Sequence, residues 1–397
     1  MVESMMEVVS IPGGVNSAFR RFSPQLNFRS AVGSTLVSTE GKEYVDYHCA
    51  SGPIVLGHNF EAVQQRVREA TRGVDLLGLG ASEAEFALAR KVCSLVPSAQ
   101  RVQFCNSGSE ATYHAIRLSR AVTGRKKLVK FQGCYHGWHD AVLVSGDTLV
   151  CTYNSLDSVE AAILQKPEQI AAIIVEPIAH NAGCILPQDG FLEGLRAITQ
   201  REGILLIFDE VITGFRHSLG GYQKICGVAP DLTTMGKAMA NGYPIGAVCG
   251  RADLLDRFST HPSGDVMFAG TYNGHPLVCA AALATIDVLE QPDSYNCLYS
   301  LGQRMRDGLT EIVRRTGIEA TVTGYGSIFV VYFMSGAIKS YEDLARNDAE
   351  AFVRFRRALI AQGIFQMPAN LKRCHVCLSH TEADIDRTLE ASGHALG

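Results

Sequence analysis

No apolar run in this sequence reaches the roughly 20 residues needed to cross a bilayer, so no transmembrane helix is expected. The N-terminus, MVESMMEVVSIPGG, carries acidic residues early and no basic stretch before an apolar core. It does not read as a signal peptide. Charge of neither sign dominates: 36 Lys and Arg stand against 40 Asp and Glu, for a formal net charge of -4. The basic footprint of a nucleic-acid binder is missing. So are internal repeats, low-complexity tracts and long charged linkers. The 12 cysteines are scattered, and the one CxxC, Cys374-His375-Val376-Cys377, has no second pair. With His380 as the other nearby candidate ligand, that is too little for a zinc site, and no metal is expected. Free, mostly buried thiols in a reducing cytoplasm are expected instead.

What is present is ample core material: 397 residues, 47% hydrophobic and 19% charged. Two domains are the natural expectation at this length. Short β-rich runs alternate with helical patterns. Val102–Cys105, Lys127–Phe131, Ile170–Val175 and Ile204–Phe208 read as strands, with helices at Glu110–Val122 and Phe191–Glu202. Unbroken apolar runs such as Ile170–Val175 suit strands buried on both faces, as in a parallel sheet. The pattern is α/β. From about Leu277 the character changes. Helical stretches at Ala280–Leu289, Tyr299–Arg315 and Asp348–Gln362 surround one strand, Ser327–Phe333. We therefore expect an N-terminal segment (1–50) with a hairpin over Thr35–Tyr47, a large domain (51–276), and a small α+β domain (277–397) against which the N-terminal segment packs.

Three segments carry chemistry. Asn106-Ser-Gly-Ser-Glu110 follows a strand and opens a helix, so Ser107, Gly108 and Ser109 can turn N–H groups and hydroxyls onto a phosphate. A plain helix cap is the competing reading. Asp209 ends an apolar strand, where ligands of open α/β sheets bind. A buried carboxylate there needs a cationic partner, such as a pyridinium nitrogen, or else caps a helix. Lys237, flanked by small and apolar residues, is a candidate amine for Schiff-base formation if desolvated. Tyr135 and Val211 can flank a flat ring, and Thr271 offers a further hydroxyl.

In order along the chain, PGGVNSAFRRF, FCNSGSEA, KFQGCYHG, IVEPI, FDEVITGFR, PDLTTMGKAMANGYPIGA and AGTYNGHPL resemble the class III aminotransferases. The resemblance is strongest to the glutamate-1-semialdehyde 2,1-aminomutase branch and runs from about Pro12 to Asp384. It implies the fold-type I architecture of enzymes that use pyridoxal 5'-phosphate (PLP): a large, mostly parallel-sheet α/β/α domain and a smaller α+β domain. It implies a homodimer with shared active sites, acting on small amino and keto substrates. Lys237 would be the Schiff-base lysine and Asp209 the pyridinium partner. Ser107, Gly108 and Ser109 would hold the phosphate, with Thr271 reaching the neighbouring subunit's. Tyr135 and Val211 would flank the ring, and His136, Glu176 and Asn181 would line the site. Ser17 and Arg20 match the residues that bind the substrate carboxylate.

Three departures from the aminomutase pattern point away from an internal amino shift. The stretch Trp138–Asn154, which carries a long lid in that branch, is short here; a lid retains an intermediate, whereas a transaminase releases its keto product. Ser51 replaces a tryptophan and opens space. Lys372 replaces a glutamate, or Arg373 does if the alignment shifts by one, and either cation can pair with a second carboxylate; a solvated basic loop is the competing reading. These changes resemble the β-amino-acid aminotransferases. The expected activity is ping-pong transamination between a carboxylate-bearing amino compound, such as a β-amino acid, and a keto acid. The aminomutase reaction, amino-acid racemisation or epimerisation, and a silent PLP-fold binding protein stay open as alternatives.

Overall fold

The computed structural model describes residues 10–143 and 146–397; the acidic start read above for a leader falls mostly outside them, as do two residues of the Trp138–Asn154 stretch. Strands β1 (Phe28–Val32), β2 (Thr35–Ser38) and β3 (Glu43–Asp46) open the fold. The hairpin expected over Thr35–Tyr47 is β2 and β3, paired antiparallel with Thr35 opposite Val45. Gly41, at φ +88°, supplies the left-handed residue its tight turn needs.

Seven strands form the large sheet: β4 (Arg101–Cys105), β5 (Lys127–Phe131), β6 (Thr148–Cys151), β7 (Ile170–Val175), β8 (Leu205–Asp209), β9 (Leu232–Gly236) and β10 (Gly246–Gly250). Their order is β4-β10-β9-β8-β7-β5-β6, all parallel except β10, which runs antiparallel to both neighbours. The β7 run is buried throughout. Ile173 and Val175 pack with Leu192, Leu195 and Ile198 of the helix Phe191–Glu202. Ala172 and Ile174 pack with Ala111, Ala115 and Leu118 of the helix Gly108–Thr123. A strand with helices on both faces has no polar side to present, hence the unbroken apolar sequence. Each fully buried Ile or Leu here contributes about 1.5–3 kcal/mol.

The C-terminal region holds β11 (Thr321–Thr323), β12 (Ile328–Tyr332), β13 (Ile364–Phe365) and β14 (Cys374–His375). β11, β12 and β14 make an antiparallel sheet, while β13 pairs parallel to β3 and so ties the N-terminal strands to this region. The helices Ser294–Thr316, Ala349–Ala361 and Glu382–Leu396 share one core with it, through Met305, Leu309, Leu359 and Ile385. All twelve thiols are free. Cys377 contacts His380 Nδ1 at 3.1 Å, yet among the described residues no group of His, Cys, Asp or Glu is arranged to hold a metal ion. No described helix is long and apolar enough to cross a membrane.

One buried side chain joins these parts. Arg216, fully enclosed, donates to Gly52 O (3.2 and 2.7 Å), Ile54 O (3.1 Å), Ser327 Oγ (3.1 Å) and Val376 O (3.1 Å). No carboxylate is among these partners; carbonyl dipoles carry the charge. Replacing it with leucine strands several buried acceptors at once. Arg216→Leu should therefore lower the unfolding free energy by more than about 3 kcal/mol, measured by urea denaturation. A loss below 1 kcal/mol would contradict this account.

Candidate active site

The large sheet delivers its functional groups at strand carboxyl ends, where the helices leave a crevice. β4 ends at Cys105, and Ser107 then caps the helix Gly108–Thr123, its Oγ accepting from Glu110 N at 3.2 Å. The cap expected as the plain reading is therefore formed. It leaves the first N–H groups of a long helix facing a cavity of about 300 Å³. Gly108 is required there: a Cβ would lie 2.7 Å from Val211 Cγ1. β8 delivers Asp209, which is followed by a turn and caps no helix. Asp209 Oδ1 accepts from Val211 N (3.1 Å) and Thr234 Oγ1 (3.2 Å), and Oδ2 lies 2.7 Å from His136 Nδ1.

β9 ends at Gly236 and hands over Lys237 in a left-handed conformation, φ +45°. That geometry costs a non-glycine residue of order 1–3 kcal/mol and recurs where structure is held for function. Burial pulls the Lys237 amine down to about 8, and the positive charge of Arg373 adds to the effect. The sequence loop after β5 brings Tyr135, whose N–H donates to Glu176 Oε1 at 3.0 Å. Asn181 Nδ2 also reaches Glu176 Oε1 at 3.0 Å.

The structure thus gathers Ser107, Gly108, Ser109, Tyr135, His136, Glu176, Asn181, Asp209, Val211 and Lys237 around one cavity. Tyr135, Asn181 and Lys237 also face a second cavity of about 480 Å³, lined by Ser51, Lys372 and Arg373. Lys372 is no solvated loop residue. It is half-buried, its Nζ 4.6 Å from the centre of the Phe19 ring, and burial lowers its pKa, with Arg373 and Arg356 adding to it. Arg373 is buried and donates to Asn181 Oδ1 (3.2 Å), His180 O (3.4 Å) and Ser51 O (3.4 Å). Both cations considered from the alignment face the site. Ser17 and Arg20 line a third cavity, of about 660 Å³, which shares Phe19, His48 and Ser51 with the second. Thr271 is exposed and outside these linings. Its neighbour Asn273 accepts from Asn106 Nδ2 at 3.1 Å, which places its segment beside the Ser107 loop.

Sequence reasoning missed His48, His375, Lys130 and Phe19, all lining the second cavity. Phe19 and Lys130 fall inside the segments PGGVNSAFRRF and KFQGCYHG but carry no group the cofactor chemistry calls for, while His48 and His375 lie outside every such segment; the folding of distant loops against each other brings them in. Thr234, the hydroxyl partner of Asp209, was also missed.

The sequence model of the class-III aminotransferases matches residues 18–150 and 140–396. The chain belongs to this family. It is 39% identical to a glutamate-1-semialdehyde 2,1-aminomutase of Syntrophomonas wolfei, over 97% of this chain and 95% of that one. Its fold is similar to an omega-transaminase from Sphaerobacter thermophilus, with a TM-score of 0.91, 32% identity and coverage of 98% and 94%. A β-phenylalanine aminotransferase from Variovorax paradoxus also gives a TM-score of 0.91, with 31% identity and coverage of 97% and 90%. The fold is that of fold-type I enzymes, and the cofactor is PLP. The residues present fit it. Helix N–H groups and serine hydroxyls can meet a phosphate, a buried carboxylate can meet a protonated ring nitrogen, and an amine of lowered basicity can meet an aldehyde.

The lowered Lys237 pKa has a consequence for stability. Below about pH 8 the amine is charged in both folded and unfolded protein, and burial of that charge costs the folded state in full. Between about pH 8 and the ordinary lysine value the folded protein binds fewer protons, so stability rises with pH. Cofactor-free Lys237→Met should therefore melt above the cofactor-free parent at pH 7, with the gap shrinking by pH 9.5. A gap independent of pH would refute the assignment.

Proposed function

We propose that this protein transfers an amino group between a carboxylate-bearing amino compound, such as a β-amino acid, and a keto acid. The observation that carries this reading is a division of charge. Asp209 and Glu176 line the inner cavity, whereas Lys130, Lys372 and Arg373 line the adjoining one without any carboxylate among its lining residues, and Lys237 faces both. The name of the Variovorax relative, a β-phenylalanine aminotransferase, supports a β-amino substrate.

Bound PLP supplies a carbonyl that can link to an amine and a ring that can accept electron density. Ser107, Gly108 and Ser109 would hold its phosphate, Asp209 would keep its ring nitrogen protonated, and Tyr135 and Val211 would flank its faces. His136 orients Asp209, while Glu176 and Asn181 fix the loop carrying Tyr135. Lys237 Nζ, its pKa lowered by burial to about 8, would take the proton from the amine-bearing carbon and return it. Ser17 and Arg20 would bind the substrate carboxylate. Lys372 and Arg373 would receive the second carboxylate of a keto-acid partner, and Ser51 leaves room between them. The protein would act in the cytoplasm as a homodimer, with Thr271 of each subunit completing the other's phosphate site.

A second reading, an internal amino shift, is favoured by the name of the Syntrophomonas relative. Product formation from glutamate 1-semialdehyde without any added donor distinguishes it; transamination needs a separate acceptor. Within the first reading, Arg20→Ala should raise KM for carboxylate-bearing amines roughly 10- to 100-fold and leave that for simple amines nearly unchanged. Equal effects on both would remove Arg20 from carboxylate binding. Lys372→Glu, which restores the aminomutase sign, should raise KM for the keto acid and leave that for the amine within about threefold. The opposite ranking would assign Lys372 to the amino substrate instead.

A further inference from the structure

Phe19, His48 and Ser51 line both the second and the third cavity, and form the neck between them that a ligand spanning the two would touch. A substrate whose amine approaches Lys237 and whose carboxylate approaches Arg20 has to pass this neck. Its two sides differ. Phe19 presents an aromatic ring, itself packed edge-on to Tyr135 at 5.5 Å. Opposite in character are His48 and Ser51, with Ser51 Oγ 3.1 Å from His48 Nε2.

The backbone here is built at a cost. Cys49, Ala50 and Ser51 are three successive non-glycine residues in the left-handed region, at φ +46°, +54° and +71°, and Gly52 follows at +111°. Such a run persists only where the surroundings impose it. Asp46 accepts from His48 N at 2.8 Å and from Cys49 N at 3.2 and 3.1 Å. Arg216 holds Gly52 O, and Arg373 holds Ser51 O. The turn is thus fixed at four points, and its effect is to place the Ser51 hydroxyl in the neck. Burial lowers the His48 pKa to about 4, so the ring is neutral near pH 7. Neutral Nε2 can accept the Ser51 proton, which leaves the serine oxygen as an acceptor facing the substrate.

We propose that Ser51, oriented by His48, recognises a hydroxyl on the carbon between the amine-bearing carbon and the carboxylate, so that the enzyme prefers 3-amino-2-hydroxy acids. This rests on the reading that Arg20 takes the carboxylate. It adds a specificity residue and narrows the substrate class. A site built to pair a hydroxyl discriminates against an analogue that lacks it, because its own polar groups then lose their partner.

The test uses the PLP-loaded enzyme and three amines: 3-aminopropanoate, 3-amino-2-methylpropanoate and racemic 3-amino-2-hydroxypropanoate. Methyl and hydroxyl are close in size, so their comparison separates hydrogen bonding from fit. The half-reaction is followed by the change in cofactor absorbance, which needs no acceptor. The parent should favour the hydroxy amine over the methyl amine roughly tenfold or more in second-order rate constant. Ser51→Gly suits φ +71° and keeps the fold; in it the ratio should fall to about one, as it should in Ser51→Ala. A parent ratio near one, or a ratio unchanged in Ser51→Gly, overturns the proposal while activity on 3-aminopropanoate leaves the carboxylate reading standing. Failure of all three amines, with simple amines reacting, overturns both.

Discussion

The guanidinium of Arg216 is the constraint on which the site's outer half depends. It is fully buried, and its partners come from three separated stretches of chain: Gly52 and Ile54, Ser327, and Val376. Those stretches carry the groups that matter. Ser51 precedes the first, and Arg373 and His375 precede the last. A charge with no carboxylate to neutralise it is costly to enclose, and only a full set of carbonyl acceptors offsets the loss of water. Such a set is directional. It specifies where two loops end, and therefore how wide the second cavity is.

Much of this architecture was legible in the sequence because it follows from local rules. Ile170–Val175 and Phe191–Glu202 have the bounds expected from apolar runs and helical periodicity. Lys127–Phe131 does too. The strands β9 and β10 were less visible. Leu232-Thr-Thr-Met-Gly236 and Gly246-Ala-Val-Cys-Gly250 are short, glycine-bounded and mixed in polarity, and their burial comes from neighbours on either side. The inner cavity was readable for a related reason: its groups fall on strand ends and in motif-bearing loops. The neck was not. His48 has no motif, Phe19 sits in one without a chemical role to mark it, and the two meet only because residues from both ends of the chain line the same cavities.

The two cavities also differ in electrostatic kind. Around Asp209 and Glu176, carboxylates are satisfied by backbone N–H groups, a hydroxyl, a side-chain amide and an imidazole. Around Lys372 and Arg373, cations meet carbonyls, an amide and an aromatic face, with no carboxylate among the described residues bonded to either. Arg373 Nε has no hydrogen-bond partner among the described residues. After burial, the positive charge of Arg373 is one source of the lowered basicity at Lys237. An anion entering there would offset that charge and make the amine more basic as it arrives. Occupancy of the second cavity is thereby coupled to the protonation of Lys237, which both cavities share.

In the large sheet, β10 alone runs against its neighbours. Gly246, at the start of β10, stands opposite Cys105 on one side and Gly236 on the other. One residue therefore sets the relative height of the Ser107 loop and of Lys237. β10 follows both partners in the chain and has to insert between them. Until it does, the phosphate-facing helix and the lysine have no fixed relation, and a partly folded chain offers the cofactor no complete cradle. Completion of the sheet and completion of the site are then one and the same step. A ligand that binds only the finished cradle pulls that step forward by mass action. Cofactor supply thus bears on how much of the newly made chain reaches its native state, and not only on how much of it is active.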